Sequence, residues 1–121
     1  MAHIIELPTR TDSRGSLTVL EKVLPFSFQR LYWIYDLNNE PRGKHRHKMT
    51  WQGMICLQGQ CEVLVKKQGK EEVFILNKPN EVLVLEPQDW HEMRNFKQSP
   101  ILLVVASELY DPNDYINEPL V

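Results

Sequence analysis

What most constrains this chain is the shortness of its apolar runs. "SLTVLEKV", "FQRLYWIYDL", "GMICLQ", "CEVLVKK", "EVFIL", "EVLVLEP" and "PILLVVAS" are strand-sized and separated by Gly, Pro and Asn punctuation. "SLTVLEKV" alternates from Leu17, and "FQRLYWIYDL" is rich in aromatic and β-branched residues. In "CEVLVKK", Cys61, Val63 and Val65 fall on one face and Glu62, Leu64 and Lys66 on the other. "NNEPRG" reads as a turn, Gly59 as a tight turn and Gly69 as a hairpin tip. Only the tail, "SELYDPNDYINEPL", offers a helical turn. Many short strands predict a single all-β domain over residues 1–121, an antiparallel sandwich or barrel. The mouth or interior of a small barrel can hold one small ligand.

Length and charge narrow the possibilities. A chain of 121 residues builds one modest core. Its net charge of −2 gives no general pull toward nucleic acid, so a cationic site must be local. The beginning, "MAHIIELPTR", is too short and polar for a secretory leader, and no run reads as a membrane span. Cys56 and Cys61 read as reduced core residues of a cytoplasmic protein.

The densest cationic stretch is "RGKHRHK", Arg42 to Lys48, which holds two of the four histidines. On an extended strand His45 and His47 share one face, and Lys44, Arg46 and Lys48 share the other. That division aims the imidazoles inward and the cations at solvent. A third histidine, His91, follows in "EPQDWHEMRNF", and a barrel can bring it beside the first two.

The H-x-H pair followed by Pro87, His91 and Asn95 resembles the two motifs of the cupin superfamily, small antiparallel β-barrels of the jelly-roll type. In that pattern the histidines and a glutamate bind metal. Here Gln52 stands at the acidic position and Gly59 at the closing glycine. A neutral amide oxygen is a weak donor beside a carboxylate. Three histidines still offer a metal-dependent, dioxygenase-like cupin as a second reading, and a non-catalytic nucleotide-sugar-binding cupin is a third.

The surrounding segments narrow the resemblance. "PTRTDSRGSLTVLE", "RLYWIYDL", "RGKHRHK", "LNKPNEVLVLEPQDWHEM" and "ASELYDPNDYI" occur in order across nearly the whole chain. Together they are similar to the WxcM-like nucleotide-sugar 3,4-ketoisomerases, cupins acting on dTDP-4-keto-6-deoxyglucose. The resemblance implies a metal-free, cofactor-free isomerase that moves the carbonyl from C4 to C3. It also implies a homodimer and a role in making the deoxyamino sugars of bacterial surface glycans. Arg46 departs from the small residue usual between the two histidines, and it points away from the pocket if the strand alternates regularly. The related 3,5-epimerases pair their histidine with an aspartate, and no such aspartate is evident in this sequence.

The chemistry assigns candidate roles. Removing the acidified C3 hydrogen needs a base that titrates near working pH, and histidine is the natural choice. His47 is the candidate base and His45 its partner. Gln52 is placed to fix a histidine tautomer. Proton movement between the C3 and C4 oxygens suits a phenol; the resemblance, which keeps a tyrosine in "IYD", implies Tyr35 first, with Tyr32 and then Tyr110 behind it. Arg14 and Arg42, each preceding a glycine, are candidates for the pyrophosphate. Trp90 or Trp51 is a candidate for the thymine ring, and His91 completes the substrate-binding set.

Overall fold

Alternation and turn chemistry set the strands. The computed structural model describes all residues from Met1 to Val121. Its strands are β1 (His3–Glu6), β2 (Thr9–Asp12), β3 (Gly15–Thr18), β4 (Arg30–Ile34), β5 (Arg42–His47), β6 (Gln52–Lys67), β7 (Lys70–Leu76), β8 (Glu81–Leu85), β9 (Trp90–Ala106) and β10 (Tyr115–Ile116). One 3₁₀ turn, Pro112–Asp114, lies in the tail where a helical turn was expected. No helix is long and apolar enough to cross a membrane.

All pairings are antiparallel, and two long strands carry the architecture. The first part of β6 pairs with β8, and its second part pairs with β7. The first part of β9 pairs with β5, and its second part pairs with β4. β6 and β9 pair with each other along most of their length, broken by register shifts between Cys56 and Glu62. The two strands therefore bend together from one layer into the other. One layer runs β1-β8-β6-β9-β4, and the other runs β7-β6-β9-β5-β10. This is the expected antiparallel double-layered barrel.

The bend corrects one reading. Gly59 does not end a strand; it sits in a bulge within β6, at φ +75°. A Cβ there would lie 2.5 Å from the Lys97 carbonyl oxygen, so the close approach of β9 excludes a side chain. The hairpin tip is as expected, with Gln68 and Gly69 both at positive φ between β6 and β7. The first strand-like run is shorter than its pattern suggested. β3 stops at Thr18, and the segment up to Gln29 runs without regular structure.

The core lies between the layers. Cys61, Val63 and Val65 are fully buried there, with Met54, Leu83, Leu85, Leu102 and Val104 in the same cluster. Both cysteines are unpaired and buried, and burial pushes the Cys61 thiol up to about 12. A second cluster on the outer side of β6 and β8 joins Leu7, Ile55 and Val82, covered by Leu20 and Leu24 of the irregular segment.

Candidate active site

Between the layers lies an open cavity of about 330 Å³, a size found in small-molecule sites. One layer lines it with Arg30, Tyr32 and Ile34 of β4, Gln52 and Met54 of β6 and Val104 of β9. The other contributes Arg42, Gly43 and His45 of β5, His91 and Met93 of β9 and Tyr115 of β10. Tyr110 closes the edge, and no carboxylate lines the cavity.

The histidine strand behaves largely as its alternation predicts. β5 pairs with β9 so that His45 lies opposite His91. A register shift between Gly43 and His45 puts Gly43 and Lys44 at positive φ. A Cβ on Gly43 would come within 3.0 Å of the His91 carbonyl oxygen, so glycine lets the two histidine strands approach. Beyond that shift Arg46 faces away, with Nε donating to the Glu118 carbonyl oxygen at 2.7 Å and Nη1 to Gln88. It does not enter the cavity.

His45, His47 and His91 come together, with ligating nitrogens within 4.8 Å of one another. Their surroundings leave them neutral. Burial pushes His45 down to about 4 and His91 to about 3, reinforced by the neighbouring imidazoles. His47 is also lowered by burial, although Asp114 opposes the shift. His91 Nδ1 donates to the Asp89 carbonyl oxygen at 3.1 Å, which leaves its Nε2 as an acceptor. His47 Nδ1 donates to Asp114 Oδ2 at 2.9 Å, and its buried Nε2 has no partner. Asp114 also accepts from Thr50 Oγ1 at 2.5 Å and from the Met49 amide at 2.8 Å. Burial works to raise its pKa, but these hydrogen bonds together hold it below the ordinary carboxylate range.

The site differs from the sequence reading at several residues. His47, the candidate base, is 3% exposed and sits behind His45, which lines the cavity. An aspartate does pair with a histidine: Asp114 lies 67 positions from His47, a separation no local motif reveals. Tyr35 lies on the outer side, 58% exposed, whereas Tyr32 faces inward. The phase of β4 explains this, because Arg30, Tyr32 and Ile34 share the inner face. Gln52 does not fix a histidine tautomer; its Nε2 donates to the Tyr32 hydroxyl at 3.0 Å and its Oε1 is buried without a partner.

The remaining candidates divide. Arg42 and His91 line the cavity. Arg14 lies in the turn between β2 and β3, outside the cavity, 88% exposed and bridged to Asp12 at 2.8 Å. Trp90 is buried and donates Nε1–H to the Asn117 carbonyl oxygen, which anchors the tail instead of facing the cavity. Trp51 packs against Phe26. Besides Asp114, two residues escaped the sequence reading. Tyr115 packs edge-on against His45 and His47, with ring centroids 4.9 and 4.5 Å away. Arg30 lines the cavity beside Tyr32. The "DYI" segment was the available signal for Tyr115; nothing local marked Arg30.

This sequence and this fold have close counterparts among known proteins. A family model described as "FdtA: WxcM-like, C-terminal" matches residues 1–120. The chain belongs to this family. It is 39% identical over 118 residues to a TDP-4-oxo-6-deoxy-alpha-D-glucose-3,4-oxoisomerase of Aneurinibacillus thermoaerophilus, covering 95% of this chain and 85% of that protein. A 3,4-ketoisomerase from Helicobacter canadensis superposes with a TM-score of 0.92 at 40% identity, covering 97% of this chain and 90% of that one. A mutant of the 3,4-ketoisomerase QdtA from Thermoanaerobacterium thermosaccharolyticum, in complex with TDP-4-keto-6-deoxyglucose, superposes with a TM-score of 0.92 at 36% identity. That match covers 97% of this chain and 87% of QdtA. The expected all-β, cupin-type architecture is the one the family shares.

Proposed function

We propose that this chain is a TDP-sugar 3,4-ketoisomerase that converts TDP-4-keto-6-deoxyglucose to its 3-keto isomer. The observation that carries this reading is a cavity lined by neutral histidines and a half-buried phenol, in a chain whose 3,4-ketoisomerase relatives match it along nearly its whole length.

His45 is the base because, of the two β5 histidines, it is the one that faces the cavity; burial holds it neutral near pH 7 at the cost of basicity. It takes the hydrogen from C3 as a proton, and the electron pair forms the C3–C4 double bond while the C4 oxygen becomes an enolate. Tyr32 passes the proton of the C3 hydroxyl to the C4 oxygen. The C3 carbonyl then forms as C4 takes the proton from His45, so C3 is oxidised and C4 reduced with no external electron acceptor. Gln52 suits this use of Tyr32: its amide donates to the phenol oxygen and leaves the phenol hydrogen free to donate. His47, fixed by Asp114, holds the ring edge behind His45. Arg42 lies on the cavity wall, suited to the diphosphate.

The outer face of β4, with Leu31 and Trp33, and Tyr35 just beyond its end, each more than half exposed, is the surface we assign to a homodimer. The cytoplasm, where nucleotide sugars are built, is the assigned compartment, and the 3-keto product is ready for transamination to an amino sugar.

The test is NMR of the purified, chelator-treated protein with TDP-4-keto-6-deoxyglucose in deuterated water. A 3-keto product supports the reading, and it carries deuterium at C4 to the extent that the proton on His45 exchanges with solvent before it is returned. Unchanged substrate with the nucleotide bound overturns it, and loss of turnover on chelation, restored by metal, favours the metal-dependent cupin.

A further inference from the structure

The ketoisomerase reading leaves one demand unmet: something must stabilise negative charge on the C4 oxygen as the C3 hydrogen departs. We infer that Arg30 is that residue, its guanidinium acting on the enolate oxygen and not on the diphosphate. This inference rests on the function proposed above.

Arg30 is a cation without a carboxylate. Arg14 bridges Asp12 and Arg94 bridges Glu62, while Arg46, also without a carboxylate, is satisfied by the Glu118 backbone carbonyl oxygen and the Gln88 side-chain oxygen. Arg30 has neither a salt bridge nor a side-chain hydrogen bond, and its Nε is buried without a partner. A buried donor left unpaired is a standing cost unless a ligand supplies the acceptor. The cavity holds no protein carboxylate to do so.

Its placement favours the reacting end over the diphosphate. The guanidinium lies 5.0 Å from the Tyr32 ring centroid and 5.7 Å from that of Tyr110. Two aromatic faces therefore hold it in position before substrate arrives. Its charge is felt at the phenol of Tyr32 and at His47. Arg42 acts less strongly at Tyr32 and is exposed at its strand position, which puts it toward the rim. The two arginines thus divide the substrate's negative charge: Arg42 takes the permanent anion, and Arg30 takes the charge that develops during reaction. Because that charge exists only beyond the ground state, Arg30 contributes to kcat and little to nucleotide affinity.

The experiment compares wild type with Arg30→Met and Arg30→Lys, measuring kcat, TDP affinity by calorimetry, thermal melting and the ultraviolet titration of Tyr32 against a Tyr32→Phe blank. Arg30→Met is expected to lower kcat about 10²–10³-fold with TDP affinity within about threefold. Arg30→Lys, which keeps the charge, should recover part of the rate. Tyr32 should titrate at higher pH in Arg30→Met, a change that lost packing alone does not produce. A TDP affinity about tenfold weaker with kcat at saturation retained would overturn the inference and make Arg30 a diphosphate ligand. An unchanged kcat, or an Arg30→Lys variant that melts like wild type yet recovers nothing, would also overturn it. If wild type itself gives no 3-keto product, the proposed function has failed; if only the Arg30 outcome fails, that function stands.

Discussion

His47 and Asp114 meet at 2.9 Å between a buried imidazole and a buried carboxylate, from strand β5 and from the last turn before β10. The contact ties the tail to the histidine cluster. Asp114 accepts three hydrogen bonds, so it organises Thr50 and the Met49 amide as well as His47. Asp114→Asn removes the charge and lets the amide present a donor to His47. The expected result is a fall in kcat of about tenfold or more and a loss of about 1–3 kcal/mol in stability from the weakened charged hydrogen bonds. Steady-state rates and urea unfolding check both. Unaltered kcat would show that His47 orientation is irrelevant to turnover.

The two histidines of β5 should not be equivalent. His45 faces the cavity and His47 lies behind it. His45→Asn should therefore abolish hydrogen exchange at C3 and lower kcat by about 10²–10⁴-fold, with TDP binding kept. His47→Asn should leave measurable exchange, because it removes a support and not the base. Deuterium incorporation followed by NMR separates the two. The reverse order of severity would return the base to His47.

Tyr32 and Tyr35 differ by the phase of one strand. Tyr32→Phe should slow turnover by about 10²-fold and leave the Gln52 amide without its acceptor. Tyr35→Phe should turn over as wild type does, because its ring lies outside the cavity. Comparing kcat for the two variants decides the assignment, and a larger loss in Tyr35→Phe would reject it.

That pair also shows what the sequence could and could not reveal. Where one face of a strand is polar, alternation fixes the phase: Cys61, Val63 and Val65 fall inward as read, and Arg46 falls outward between His45 and His47. The one charged residue of β4, Arg30, falls on the inner face with Tyr32 and Ile34, so polarity points the phase the wrong way. Leu31, Trp33 and Tyr35 are as apolar as Tyr32 and Ile34, so Tyr35 looked as suitable as Tyr32. Gly59 was visible as a special backbone position, yet a turn and a bulge ask for the same residue, and only the approach of β9 separates them. The histidine cluster was legible because two members lie two residues apart. Tyr115 reaches it by pairing of β10 with β5 and Asp114 by its bond to His47, long-range events that leave no spacing to read.

Acid should weaken this fold through its histidines. His91 is buried with a pKa near 3, against about 6.5 in an unfolded chain. Between those values the unfolded chain holds a proton that the folded chain excludes. Its stabilising effect is complete above about pH 6.5 and is lost as pH falls toward 3, with a slope up to about 1.4 kcal/mol per pH unit. His45, held near 4, acts in the same direction. Asp89, raised by burial, acts in the opposite direction at the acid end. Urea unfolding at several pH values between 7 and 5, on wild type and His91→Gln, isolates the contribution. Wild type should lose stability more steeply than the variant over that range, by about 1 kcal/mol per pH unit once below 6. Parallel curves would mean that His91 accepts a proton in the folded protein. The same neutrality predicts a kcat/KM profile whose acid limb lies below the ordinary histidine range, toward 4, because His45 must lose its proton before it can act. An acid limb near 6.5 would show that the catalytic imidazole is solvated and is not the one lining this cavity.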